Sequence, residues 1–396
     1  MNRTRIITAA LTLAAAGLLF AGPLNPPPGP ITSTYKTLTE AEPRIAINAA
    51  NTPGDADSLF KITQPGSYYL TGNVTGVAAK HGIEIAVAAS GPSVTIDLMG
   101  FELAGVPGSL DGVSVTLTNT RNTAVRNGTA RAWGGDGVDV NNSTNNLLED
   151  LRVEGNGGRG IIAGTASTVT GCTALFNTGT GILTGTGNTL TGCTASSNSG
   201  GGISASFGST VTGCTAIFNT GTGITVGTGS TVTGCTARFN SGNGIFASDG
   251  STVTGCTAYL NTGDGISASI GSTVTGCTAS SNGGDGVQVF SDCRVTDNTC
   301  DSNGSGGDGA GIHATSSDNR IEGNNCTGSD RGIDVDVAGN IIIKNTCSGN
   351  TTDWDIVANN VYGPIIDRRA PASAAVVGFA APSTLGTTDA NANFSY

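Results

Sequence analysis

Hydrophobic residues recur along this chain with two superimposed periods. Over short stretches they alternate with polar residues, as in Thr168-Val169-Thr170 and Ile182-Leu183-Thr184, which is the period of two expected of strands with one buried face. Over longer distances the pattern returns every 21 residues: Cys172, Cys193, Cys214, Cys235, Cys256 and Cys277 keep that step without a slip. The same step links Leu148, Val169, Leu190, Val211, Val232, Val253 and Val274, and it links Ile161 to Ile182, Ile203, Ile224, Ile245, Ile266 and Val287. Asn156 to Asn282 and Gly160 to Gly286 form two further columns. A unit this short cannot enclose its own apolar side chains, so it must stack on its copies. Spacings of three and four that would mark helices are absent.

Each unit is therefore expected to form one coil of short strands, with successive coils in register as parallel sheets. Glycine and asparagine interrupt the strands about twice per unit, where corners needing φ > 0 are expected. Stacked asparagines are expected to hydrogen-bond from coil to coil, as amides do in cross-β stacks. The strand column extends upstream through Val138/Val140, Val113/Val115 and Ile83/Ile85, and downstream through Ile312/Ala314, Ile333/Val335 and Trp354/Ile356. About 12 coils at ~4.8 Å give a rod roughly 55 Å long. Residues 31–80 fit the repeat poorly, although PGSYYLTGNVTG reads as an opening strand. The organisation is then a signal peptide at 1–22, a linker and cap at 23–80, the coils at 81–362 and a tail or cap at 363–396.

The repeated phrases N-x-x-G-x-G-I and S-T-V-T-G-C-T-A over about residues 80–360 resemble the pectin-lyase-like family, which includes pectate lyases, polygalacturonases and NosD-type periplasmic proteins. The N-terminal part is similar to the cap of secreted bacterial proteins of that build without an assigned activity. The resemblance implies an all-β right-handed parallel β-helix. It implies less about chemistry: the polygalacturonase phrases NTD, GHG and RIK are missing, and His81 in KHGIE shares only an HG pair with them. Pectate lyases hold calcium on aspartates and use a basic residue to abstract a proton, and the central repeats hold almost no bases.

Composition narrows the partners. The chain has 62 glycines, 12% charged residues and a net charge of −11, with lysine only at positions 36, 61, 80 and 344. Between Gly160 and Ser291 the one cation is Arg238. A phosphate backbone needs a basic stripe, so nucleic acid is excluded as a partner. Arg3 and Arg5 followed by the apolar run Ile6 to Phe20 read as a secretory signal, which places the chain outside the cytoplasm, at the cell surface or in the periplasm. That run is short for a membrane span, and no later segment would cross a bilayer.

Ten cysteines in an exported chain would ordinarily suggest disulfides. Here Cys172 to Cys277 share an inward column, which Cys300, Cys326 and Cys347 continue after a two-residue shift, with Cys293 off it. Parallel side chains do not present the torsion a disulfide needs, so stacked thiols are expected. Without a C-x-x-C pair, and with two histidines, a zinc cluster is not expected.

Three surface features carry candidate chemistry. If Ile312, Ile333 and Trp354 are equivalent and inward, then His313, Asp334 and Asp355 form an outward column, with Asp336 beside Asp334 and Arg331 at the preceding corner. Clustered carboxylates repel, which invites a functional reason, although charge on the last coils would also prevent end-to-end stacking. Asp264, Asp285 and Asp308 stand in G-D-G corners, where calcium is the ion that oxygen ligands would suit; no other cofactor is expected. Finally, Thr210/Thr212, Thr231/Thr233 and Thr252/Thr254 belong to a T-x-T array over six coils, with Thr173 to Thr278 as a third row. The array looks like the ice-binding face of β-helical antifreeze proteins, and duplication of one unit would also produce it. The leading expectation is a non-enzymatic exported surface or matrix component that contacts polysaccharide. A polysaccharide lyase or glycoside hydrolase is the alternative, and ice binding a second one.

Overall fold

The computed structural model describes residues 44–87, 93–304, 307–367 and 388–396; the expected signal peptide at 1–22 lies outside them. Every regular element among these residues is a β-strand. One coil shows the plan: Thr210–Thr212 and Thr215–Ile217 belong to a bent sheet, and Ile224–Val226 belongs to a second sheet. Each strand pairs in parallel with its copy one unit on, Val211 with Val232, Ala216 with Ala237 and Ile224 with Ile245. Val, Ala, Cys and Ile point inward, and the Val211, Ala216 and Ile224 side chains have no exposed surface. Burying each Val or Ile contributes roughly 1.5–3 kcal/mol.

The second sheet contains 14 strands, from Ser58–Ile62 to Thr352–Ile356, which corrects the expected 12 coils and lengthens the stack to roughly 62 Å. The one coil that the sequence columns do not include lies at the N-terminal side. Ser58–Ile62 pairs with His81–Ile85 through Phe60 on Ile83 and Ile62 on Ile85, so part of the segment read as linker and cap is already solenoid. Lys61 and the tyrosines of the Gly66–Tyr69 strand hide the period there. At the other end Asn393–Ser395 pairs with Ile365–Asp367 and Thr346–Ser348. Trp354 Nε1 donates to Ser395 Oγ at 2.8 Å. The end of the 363–396 segment thus adds a strand to the last coils.

Asparagine stacking is realised inside the coil. Asn198 donates from Nδ2 to Asn219 Oδ1 at 2.9 Å and from its backbone N–H to the same oxygen at 3.1 Å. Its Nδ2 also donates back to the Ala174 carbonyl at 3.2 Å. The pattern runs from Asn156 to Asn303, so these buried amides are satisfied by the neighbouring coils.

The glycine column has a different cause from the expected one. Gly160 to Gly286 do not need positive φ; a Cβ on Gly202 would lie 2.7 Å from Asn219 Nδ2 and 2.5 Å from the Gly223 carbonyl. Glycine is there because the asparagine ladder and the next coil pass too close for any side chain. The left-handed corners are three other columns. One contains Gly171, Gly192 and Gly213 at φ 60–63°, a second contains Phe176, Ser197, Phe218, Phe239 and Leu260 at φ 52–57°, and a third runs from Ala166 through Gly187 and Gly208 to Gly271 at φ 55–70°. In the second column L-residues accept roughly 1–2 kcal/mol of strain each. The rings of Phe218 and Phe239 stack at 4.9 Å between centroids.

All ten cysteines are buried and free. Their arrangement corrects the expected single column. Cys277 passes its N–H to Asn298 Oδ1, and Asn298, Asn324 and Asn345 continue that line. Cys300 pairs instead with Ala279, and Cys326 and Cys347 stack on it, so these three extend the alanine column. Cys293 belongs to the serine column, on Asn319. Burial raises the Cys293 thiol, and contact with Cys326 together with burial holds Cys300 well above its usual range. A buried thiol of this kind is unreactive.

Two outcomes test this packing. Asn219→Ala removes the acceptor for two donors of Asn198 and should cost about 2 kcal/mol or more, read as a lower urea midpoint, whereas Thr231→Val should stay within about 0.5 kcal/mol. Thiol titration in denaturant without reductant should count all ten cysteines; a count far below that would reveal disulfides.

Candidate functional site

Three adjacent strands build the site: Ala310–Ala314, Arg331–Val335 and Thr352–Ile356. Ile312, Ile333 and Trp354 are in register and face the core, which sets His313, Asp334 and Asp355 in register on the outer face. Parallel strands place such neighbours ~4.8 Å apart, and the polar groups converge further through their side chains. His313 Nδ1 lies 2.8 Å from Asp285 Oδ2, and Nε2 lies 3.0 Å from Asp336 Oδ2 and 3.9 Å from Asp334 Oδ2. Arg331 bridges Asp308, Asp334 at 3.5 Å and Asp355 at 3.0 Å.

Two protonation states follow. Burial alone would lower the His313 pKa, but the hydrogen bond and charge of Asp285, with Asp336 and Asp334, outweigh it and raise it to about 9. Both ring nitrogens face carboxylates, as an imidazolium requires. Asp334 is 7% exposed. Burial raises its carboxyl, His313 and Arg331 pull it back, and repulsion from Asp336 and Asp355 adds to the rise, leaving it at about 6. A group that exchanges its proton near neutrality, beside two cations, is equipped for acid–base work.

The expected calcium corners do not form a site of their own. Asp264 Oδ1 accepts the Asp285 N–H at 3.0 Å, and Asp285 Oδ1 accepts the Ala310 N–H at 2.7 Å. Ala310, rather than Asp308, occupies the next place in that column, and Asp308 turns to Arg331 instead. Asp285 is therefore a member of the histidine cluster, reached across a corner. The threonine rows are in register, Thr210 with Thr231 and Thr252, and Thr212 with Thr233 and Thr254. The third row lies beyond the left-handed Gly171 to Gly276 column, on the other arm of the bent sheet. The three rows are not one flat face.

A second polar cluster, which the sequence reading did not assemble, occupies the N-terminal coils of the same sheet. Lys61 Nζ lies 2.7 Å from Asp55 and 2.9 Å from Glu84. Glu84 also accepts from Thr116 at 2.7 Å, and His81 sits 3.3 Å from Asp111. Burial pushes Glu84 up, but hydrogen bonds from Thr116, Lys61 and Ser58 hold its carboxyl below the usual value. The signal was present: Glu84 lies between Ile83 and Ile85, both inward, and Lys61 lies one coil before it.

A family model described as "Right handed beta helix region" matches residues 108–233 and 183–310, together just over half of the chain. No curated protein sequence matches it. Among solved structures, the A-module of the Azotobacter vinelandii mannuronan C-5 epimerase AlgE4 is similar over 76% of this chain and 91% of its own, with 17% identity and a TM-score of 0.49. The AlgE6 A-module of the same organism is similar over 75% and 89%, with 16% identity and a TM-score of 0.45. The catalytic domain of a GH87 α-1,3-glucanase in complex with nigerose is similar over 79% and 60%, with 12% identity and a TM-score of 0.38. At these identities the likeness is one of fold. No helix among the described residues is long and apolar enough to cross a membrane.

The ionisations give the cluster a pH signature. Folded His313 keeps its proton to about pH 9, against an ordinary value of 6.5. Its contribution to stability is complete below pH 6.5 and is lost as pH rises through 9. Asp334 keeps its proton to about pH 6, against 3.8, so its ionisation removes stability as pH rises from about 4 to 6. The urea midpoint should fall between pH 7 and pH 10, and His313→Gln should flatten that fall; an unchanged slope in the variant would contradict the assignment.

Proposed function

The chain belongs to the right-handed β-helix family, and on that scaffold we propose that it acts on polysaccharide, with the carboxylate cluster of its C-terminal coils as an acid–base centre. The observation that carries this reading is Asp334, a nearly buried carboxyl with its pKa at about 6. Charge placed only to prevent end-to-end stacking would be spread over exposed positions and would need no such group. In glycosidic cleavage Asp334 would donate its proton to the bridging oxygen as the bond to the anomeric carbon breaks. Asp355, on the adjacent strand and held by Arg331 at 3.0 Å, would attack the anomeric carbon as nucleophile, and Asp334, having given up its proton, would take one from the water that then displaces Asp355 from the sugar. His313, gripped by Asp285 and Asp336, would supply positive charge beside Asp334 rather than exchange a proton.

Export, read from the first 22 residues, would bring this activity to extracellular or surface polysaccharide. A second reading, in which the protein contacts glycan without altering it, is favoured by the in-register threonine rows. Ice binding would need a flat array, and the bend at the glycine column leaves two rows for it.

Release of reducing ends or unsaturated products should be measured over a panel of neutral and uronate polysaccharides, with and without calcium. Asp334→Asn should lower the rate by roughly 100-fold or more with the fold retained, as loss of a general acid does. If wild-type protein releases nothing from the whole panel, the acid–base reading fails and glycan contact alone stands.

A further inference from the structure

The bent sheet carries an open cavity of about 410 Å³ that shares no residue with the carboxylate cluster. It is lined by Asn127, Thr129, Asp150, Arg152 and Thr173 together with Gly100, Gly128 and Gly171. Register explains the assembly. Thr129, Arg152, Thr173 and Thr194 follow one another on successive coils of one arm of the sheet. Asn127, Asp150 and Gly171 are the matching left-handed corner residues, at φ 59°, 50° and 63°. Gly128 is required by the core beneath, because a Cβ there would point inward to 2.3 Å from the buried Leu98 Cβ.

The charged groups at this cavity are uncommitted. Arg131, one coil before Glu154 in the neighbouring column, is paired with Glu102 at 2.7 Å. Arg152 and Asp150 are both exposed, and neither forms an ion pair or side-chain hydrogen bond with any described residue. The cavity therefore offers one guanidinium, one carboxylate, one amide and two hydroxyls. This is a balanced set of donors and acceptors of the kind that vicinal hydroxyls require. Its volume lies within the range of small-ligand sites.

The surface that leads away from the cavity fits a chain rather than a single sugar. The glycine column continues as Gly192, Gly213, Gly234, Gly255 and Gly276, and a Cβ at any of these would meet nothing. The space above the column is open along the axis. On either side run threonine rows, Thr191 to Thr275 on one arm and Thr194 to Thr278 on the other. Coils repeat every ~4.8 Å, close to the length of one pyranose in an extended glycan, so successive sugars would meet equivalent hydroxyl pairs. Charge selects among glycans. With a net charge of −11 and Arg238 as the one cation between Gly160 and Ser291, the path repels a polyanion.

We propose that the cavity at Asn127, Asp150 and Arg152 anchors a neutral, linear polysaccharide that lies along the glycine column between the threonine rows. The site is separate from Asp334 and does not depend on chemistry there.

Affinity electrophoresis of the full chain in gels containing soluble β-glucan, xylan, galactomannan, alginate or polygalacturonate tests this. Retention is expected on at least one of the neutral polymers and should be insensitive to salt. Arg152→Ala, which removes an exposed and unpaired side chain, should weaken it about tenfold, the effect of losing one charge-assisted hydrogen bond. Thr215→Trp should block the path from the side, while Asp334→Asn should leave retention unchanged. Retention only by the uronate polymers, no retention by any polymer, or equal retention of wild type and Arg152→Ala would each overturn the proposal. Loss of retention in Asp334→Asn alone would place binding at the carboxylate cluster instead.

Discussion

The whole rod depends on one repeated contact, the transfer of hydrogen bonds from a buried asparagine to its equivalent in the next coil. A coil of this size has no helix and few large side chains with which to define its corners. The asparagine defines one of them: its oxygen takes two donors from the coil before, and its nitrogen reaches both neighbours. Because each amide is satisfied only by adjacent coils, a slip in register would leave several buried polar groups unpaired at once. The glycines that face the ladder, the unbranched step of 21 residues and the order of the inward columns all accommodate it. In the last coils the line that continues the cysteine column makes the same contact: Asn345 finds its partner in Asn393, 48 residues further on, and the C-terminal strand is drawn in to complete it.

Much of this was legible because the units are near copies. Columns of Val, Ile, Asn and Cys reveal the period directly, and the positions of Ile312, Ile333 and Trp354 follow by extension. Reading failed where identity and position part company. The cysteine after Cys277 that stands nearest the period is Cys300, yet the place 21 residues on belongs to Asn298. Both inward sites accept a small side chain, so the residue type moved between columns while the backbone did not. The first coil was missed for a related reason: Lys61 and Tyr68 do not resemble the repeat, although Ile62 stacks on Ile85 as any other pair does.

The cluster around His313 and Asp334 shows the same division. Its outward column follows from alternation around Ile312 and Ile333, so His313, Asp334 and Asp355 could be placed together from sequence. The entry of Asp285 could not, since it rests on a side chain crossing a corner to reach His313 at 2.8 Å. Nor could the unequal fates of the carboxyls. Asp334 differs from the exposed Asp308 through burial and through repulsion from Asp336 and Asp355, while Arg331 and His313 pull both carboxyls down, and these are properties of the folded surface.

The ladders also have a direction. Along the asparagine column every side-chain oxygen accepts from the coil on its N-terminal side, and the columns of serine and cysteine accept in the same sense. Backbone dipoles in a sheet largely cancel from strand to strand, but the side-chain dipoles of the asparagines point one way and add. The rod is therefore electrically polar along its axis, with the negative ends of its amides toward the first coils and the positive ends toward the last. The surplus of carboxylates around His313 and Arg331 is gathered at the end of the rod where that field favours negative charge.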